Sequence, residues 1–296
     1  MERPKLPRRQ LRLKEWPPLI DRQLRPSPEY LLATDGSLRD IEYRVRTDAD
    51  GYILPPPTDL DGVENTLIFF GDSFVESTYV PEDQRFVAVI QDILREAGVP
   101  ARCLNAGYSG ATSLHMLMSL LGKVGRRQST TIILVIPSND AFALIKEGGY
   151  WCRWDKRYSP VIPVPDSLRV PTQSLDLADL QSVINLFVDS CRRLRLNLVL
   201  ASFPHRTELF KDDSWLLRRF KSKLNYDRTH DWRCSINASG RAIAKRLNIP
   251  FIDLEKLVSE RIECFYDDLH MNELGSKEVA DIIGSFLVAQ RRTLNN

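Results

Sequence analysis

The chain has 296 residues, 43 % of them hydrophobic, enough to bury a substantial core in one large α/β domain with appendages or in two small domains. Lys and Arg number 41 against 39 Asp and Glu, so the net charge of +2 gives no whole-protein attraction to nucleic acid. The five cysteines, Cys103, Cys152, Cys191, Cys234 and Cys264, lie far apart with no CxxC pair, which points to buried thiols and to neither a disulfide framework nor a zinc site.

Residues 1–25 carry eight basic and three acidic side chains. Such a run reads as a solvated arm packed on its own domain, with contact to an anionic partner as the alternative. It lacks the apolar core of a secretory signal, and no later segment approaches the roughly 18 apolar residues that cross a bilayer. The expectation is a cytoplasmic protein with no membrane span. Residues 1–60, rich in proline, charge and turn signals and ending in "TDADGYILPPPTDLDG", form an extension. A domain over 61–296 follows, interrupted by insertions near 146–175 and 204–235.

Within it, "TLIFF" at 66–70 predicts a strand buried on both faces. Phe86, Val89, Ile90, Ile93, Leu94 and Ala97 then follow at helical spacing, with Pro81 before them and Gly98 after. The unit repeats. "ARCLNAG" is a short strand, "TSLHMLMSLLGKV" a helix and 130–136 a β-branched strand; 178–194 is a helix, "NLVLASFP" a strand, 237–247 a helix, "IPFIDL" a strand and 273–290 the last helix. This alternation predicts a parallel sheet covered on both faces. Residues 150–171 and 206–232, aromatic and basic, interrupt it after predicted strands, where loops line the ligand crevice of open α/β sheets.

Ser73, Gly110 and Asn139 follow the first three strands, and Asp267 and His270 precede the last helix, so a parallel sheet brings all five to one edge. A serine hydroxyl needs an imidazole to remove its proton, and the imidazole needs a carboxylate to fix its tautomer. Asp267 and His270, three residues apart, can face the same serine. An oxyanion hole would draw on the Ser73 and Gly110 N–H groups and the Asn139 amide. Asp268 competes with Asp267; His115, His205 and His230 are rival bases, with His115 read as a packed or surface residue. Trp151, Trp154, Trp215 and Trp232 are candidates for stacking on a sugar or acyl group, against the plainer role of packing.

"GDSF" at 71–74, "NAGYSGATS" at 105–113, "PSND" at 137–140 and "DDLHMNELG" at 267–275 together resemble the four sequence blocks of the SGNH or GDSL hydrolases, in order and over roughly residues 65–290. The resemblance implies a three-layer α/β/α sandwich with a central, mainly parallel sheet. It also implies Ser73 as nucleophile, His270 as base, Asp267 as its orienting acid, and Ser73, Gly110 and Asn139 as the oxyanion hole. Pro137 stands where the family's third block usually has glycine. The G-x-S-x-G elbow of classical α/β-hydrolases is absent, because Phe74 and Val75 follow Ser73.

The expected activity is cleavage of a small acyl ester, acetyl foremost, on a carbohydrate or secondary metabolite. Acyl transfer by the same residues and a non-catalytic binding module on the same fold are the alternatives. No cofactor, metal or nucleic-acid partner is expected, since phosphate-loop, dinucleotide and H-E-x-x-H motifs are missing. Oligomeric state is not readable from the sequence.

Overall fold

The computed structural model describes residues 8–125, 127–164, 170–207 and 213–294. Before the main sheet come β1 (Gln10–Leu11), β2 (Asp21–Leu24), α1 (Pro28–Leu32) and β3 (Tyr43–Arg46). From Thr66 strands and helices alternate: β4 (Thr66–Phe70), α2 (Ser73–Glu76), α3 (Phe86–Glu96), β5 (Arg102–Asn105), α4 (Ser113–Ser119), β6 (Thr130–Val135) and α5 (Asn139–Leu144). There follow β7 (Val161–Ile162), α6 (Ala178–Leu194), β8 (Asn197–Ala201), α7 (Ser214–Phe220), α8 (Lys223–Leu247), β9 (Phe251–Ile252), α9 (Leu254–Val258) and α10 (Glu273–Leu294).

The central sheet is parallel, in the order β5-β4-β6-β8-β9. Leu67–Phe70 and Ile132–Val135 are all buried, which is why these strands read as continuous apolar runs without alternation. Crossovers in parallel sheets are right-handed. The β4-to-β5 crossover runs in one direction across the sheet and those from β5 to β6, β6 to β8 and β8 to β9 run in the other, so α3 covers one face and α4, α6 and α8 the opposite one. α10 packs on α3, and α4, α6 and α8 pack in series. The result is the three-layer α/β/α sandwich expected from the sequence. Strand order reverses between β4 and β6, the place at which open α/β sheets hold their ligand crevice, outside the C-terminal ends of the strands. Ser73 and Asn139 begin the helices that leave those two strands.

Two stretches differ from expectation. The sequence predicts an insertion over 206–232 and a helix from 237; α8 instead begins at Lys223, with the Ser222 hydroxyl accepting from the Asn225 N–H at 3.2 Å, and α7 precedes it. The first turns of α8 bury only Tyr226, so no apolar stripe betrays the helix. Residues 208–212 and, in the first insertion, 165–169 lie outside the described residues. The N-terminal stretch, which has little periodicity, nevertheless pairs β2 with β3 antiparallel and β1 with β7. It also buries Tyr43, Val45, Tyr52 and Ile53. No helix among the described residues is long and apolar enough to cross a membrane.

The turn after β5 lies directly on α2. A Cβ on Gly107 would stand 2.3 Å from the Glu76 backbone nitrogen and 2.7 Å from the Val75 carbonyl carbon, and backbone atoms cannot swing aside as a flexible side chain can. Gly107→Ala is therefore expected to destabilise the protein by about 1–3 kcal/mol in urea denaturation, the usual range for overpacking.

Candidate active site

The turn after β4 is shaped by Asp72. Its Oδ1 accepts from the Phe74 N–H at 3.0 Å, capping α2 and setting Ser73 at that helix's first position. Its Oδ2 accepts from Ser138 Oγ at 2.7 Å, Asn139 Nδ2 at 3.0 Å and the Asn139 N–H at 3.3 Å, binding the β6 exit to the β4 exit. Next to Asn139 on α5, Asp140 accepts from Ser113 N–H at 2.8 Å and Ser113 Oγ at 2.5 Å, which ties in the start of α4. Burial pushes the Asp140 carboxyl up to about 7, against the pull of those hydrogen bonds.

Ser73 Oγ lies 2.8 Å from His270 Nε2, and His270 Nδ1 lies 2.7 Å from Asp267 Oδ2. The other Asp267 oxygen accepts from the Leu269 N–H at 2.8 Å and the His270 N–H at 2.6 Å, so the carboxylate is fixed by the turn that carries the imidazole. That turn closes with the Tyr266 N–H donating to the His270 carbonyl at 3.0 Å. The Tyr266 ring lies flat on the imidazole, centroids 5.6 Å apart at 10°. Burial alone would lower the His270 pKa, but the charge and hydrogen bond of Asp267 outweigh it and hold the imidazole above its ordinary value of about 6.5. An imidazole between a hydroxyl and a carboxylate in this order can take the hydroxyl proton and remain stabilised as imidazolium.

Asp268 is not the partner of His270. It bonds Arg233 at 2.6 Å and Arg219 at 3.0 Å; burial would raise its pKa, yet the two guanidinium groups hold the carboxyl well below the usual range. The rival histidines are likewise engaged elsewhere. His115 is fully buried, bonded to Thr112 Oγ1 at 2.8 Å, and burial drives its pKa down to about 3. His205 and His230 face each other across 3.2 Å. Trp215 is buried beneath Arg206 and Trp232 packs edge-on to Phe142, whereas Trp151 and Trp154 stand 61 % and 42 % exposed.

Gly110 has φ +72°, a conformation that glycine adopts without strain. Its carbonyl accepts from Lys14 Nζ at 2.7 Å, and a Cβ there would meet that same nitrogen at 2.7 Å. Burial, with Arg12 and Arg157 nearby, lowers the Lys14 ammonium to about 8. The Gly110 turn is tethered to the serine turn by the Tyr108 N–H donating to the Gly71 carbonyl at 3.3 Å and by the buried Glu76. Glu76 accepts from Ser109 Oγ and, at 2.8 Å, from Trp16 Nε1; burial raises its pKa against those two hydrogen bonds. The Asn139 amide has one N–H on Asp72, and its Oδ1 accepts from the Tyr158 hydroxyl at 3.3 Å.

Lys14, Trp16, Glu76, Tyr158 and Tyr266 are site residues that sequence reasoning missed. Glu76 is three positions beyond Ser73, but its partners are not local, and no spacing rule reaches them. A concavity at the opposite end of the sheet, around Asn65, Ser129, Thr131 and Asn197 near the strand starts, lies away from these residues.

The four motif blocks thus meet at the switch point of a parallel three-layer fold. The profile of the GDSL-like lipase/acylhydrolase family matches residues 69–277, well over half the chain, and the chain belongs to that family. No curated protein matches the sequence significantly. Among solved structures, the fold is similar to the acetyl xylan esterase AlAXEase, at TM-score 0.51 and 16 % identity over 74 % of this chain and 98 % of that one. It is similar also to a carbohydrate acetylesterase family member from Sinorhizobium meliloti, at TM-score 0.51 and 13 % identity over 75 % and 97 %. A lipase/acylhydrolase from Enterococcus faecalis superposes at TM-score 0.50 and 14 % identity over 76 % and 96 %.

Because the raised His270 pKa comes from Asp267, Asp267→Asn is expected to bring it down, read as a downfield-to-upfield imidazole titration by NMR at lower pH than in the parent. The sign for stability follows. A histidine with a raised folded-state pKa contributes stability that is fully present below about 6.5 and lost as pH rises through the folded value, so the variant should lose most stability on the acid side.

Proposed function

We propose that the protein is a serine esterase that removes small acyl groups, acetyl foremost, from a carbohydrate or secondary metabolite through an acyl-Ser73 intermediate. The observation that carries this reading is the file Ser73 Oγ, His270, Asp267, with contacts of 2.8 and 2.7 Å. Ser73 Oγ attacks the ester carbonyl as its proton passes to His270 Nε2, and Asp267 stabilises the imidazolium. The oxyanion is met by the N–H groups of Ser73 and Gly110, which have no hydrogen-bond partner among the described residues, and by the second amide proton of Asn139. His270 returns the proton to the leaving alkoxide; it then activates a water that releases the acid and regenerates Ser73.

The sugar preference draws on the first insertion. It carries the exposed rings of Trp151 and Trp154, and its Tyr158 reaches Asn139, so flat apolar surface is carried on the segment that meets the candidate oxyanion donor. Two of the similar folds named above are acetyl-ester hydrolases, which favours the same acyl group.

A fluorophosphonate should label Ser73, located by mass spectrometry, and turnover of p-nitrophenyl acetate should be lost in Ser73→Ala and His270→Ala. In the parent, kcat/KM should fall on the acid side with an apparent pKa above about 6.5, since the base is held there. A parent that turns over ester with no label on Ser73, alongside an active Ser73→Ala, refutes the assignment.

Asn139→Ala should lower kcat by about 10²- to 10³-fold with KM little changed, the effect of removing one oxyanion donor. Asn139→Asp should be at least as harmful, because it sets a second carboxylate against Asp72 as well as against the developing charge. A rise in KM alone would make Asn139 a substrate-binding residue.

A further inference from the structure

Near the arginines that hold Asp268, three metal-ligating side chains converge. His205 lies just past β8 and is 1 % exposed; His230 and Cys234 lie four apart on α8 and so share a face. His205 Nε2 is 3.2 Å from His230 Nδ1, Cys234 Sγ is 4.0 Å from that same nitrogen, and one ligand atom from each of the three lies within 4.8 Å of the others. A tetrahedral ion with bonds of about 2.0–2.1 Å to nitrogen and about 2.3 Å to sulfur sets its ligands roughly 3.4 to 3.6 Å apart. The nitrogen–nitrogen spacing is within a few tenths of an ångström of that value, whereas Cys234 Sγ, which also lies 3.5 Å from His230 Nε2, has to move toward Nδ1 to complete the set.

The surroundings also suit an ion. His205 Nδ1 and Glu255 Oε1 are buried, lack hydrogen-bond partners and face each other at 3.9 Å. A metal-bound histidine commonly donates its second ring N–H to a carboxylate, which is the position Glu255 holds. The neighbouring cations are neutralised: Arg233 is bonded to Asp268, and Arg241 to Asp253 and Glu255. Tyr226 stacks on the His230 ring at 5.8 Å and 16°, fixing its plane.

We propose that His205 Nε2, His230 Nδ1 and Cys234 Sγ bind one zinc-class divalent ion, with Glu255 orienting His205 and a fourth position open to water. Binding releases the Cys234 thiol proton to solvent and leaves the thiolate on the metal. Mixed imidazole and thiolate donors select this class over magnesium or calcium. The ion staples the segment after β8 to α8, the two elements whose Arg206 N–H and Arg233 side chain grip Asp268. No spacing in the sequence announces the site, because His205 and His230 are 25 positions apart and no CxxC is involved.

The test titrates chelator-stripped full-length protein with Co²⁺, reading the thiolate-to-cobalt charge-transfer band, and then displaces it with Zn²⁺. The expected result is one Co²⁺ per chain with that band, displaced by Zn²⁺ and accompanied by a thermal midpoint that rises with added Zn²⁺. Cys234→Ser should lose the band. His230→Gln and Glu255→Gln should each weaken binding by about tenfold or more, while ester turnover confirms that these variants fold. Should Cys234→Ser fail to fold, Glu255→Gln carries the comparison. A parent without the band, or one whose Co²⁺ affinity matches that of Cys234→Ser or Glu255→Gln, overturns the proposal and leaves a metal-free chain of contacts from Cys234 through His230 to His205.

Discussion

The crevice depends on one buried carboxylate. Asp72 accepts four hydrogen bonds, from Phe74, Ser138 and both nitrogens of Asn139, so the exits of β4 and β6 are held as one rigid piece. A buried carboxyl group with fewer donors would be costly to keep in a protein interior, whereas a fully satisfied one rigidifies whatever supplies the donors. Ser73 and Asn139 inherit their relative position from this arrangement. The strand-order reversal places the two exits side by side, and Asp72 converts that adjacency into fixed geometry.

A second layer of buried acids repeats the device around it. Asp140 fastens the start of α4, Glu76 fastens the Gly110 turn to α2, and Asp268, gripped by Arg219 and Arg233, fastens the turn that carries Asp267 and His270. These acids hold segments at or next to the candidate site residues, above a sheet whose Leu67–Phe70 and Ile132–Val135 are buried.

The central fold was legible because its strands are short, apolar and β-branched and its crossover helices are amphipathic. Ala178–Leu194 matches the periodicity of its sequence end to end. The start of α8 was not legible, because its first turns are solvated and bury little. β1 and β7, two residues each, lie below any pattern's resolution and exist through their pairing alone. At the site, Ser73, Gly110, Asn139, Asp267 and His270 stood out through their motif blocks. Glu76, Lys14 and Tyr158 did not, since each acts through a partner far away in sequence, and a solitary Lys, Glu or Tyr carries no spacing signal. The spacing favours Asp267 over Asp268, and the adjacent carboxylates do project to different partners, Asp267 to an imidazole and Asp268 to two arginines.

The β1–β7 ladder joins the basic arm to the first insertion, and Arg12 reinforces it by donating to the carbonyls of Lys156, Arg157 and Ser159. The arm delivers Lys14 to Gly110 and the insertion delivers Tyr158 to Asn139, so the two flanks of the crevice are clasped together outside the main sheet. Two loops clasped in this way lose their freedom in a single step. Once either has docked, the other is presented at high effective concentration and meets only the remaining part of its ordering cost. The rim of the crevice is thereby a cooperative unit whose local opening engages both flanks, even though some 150 residues of chain separate them.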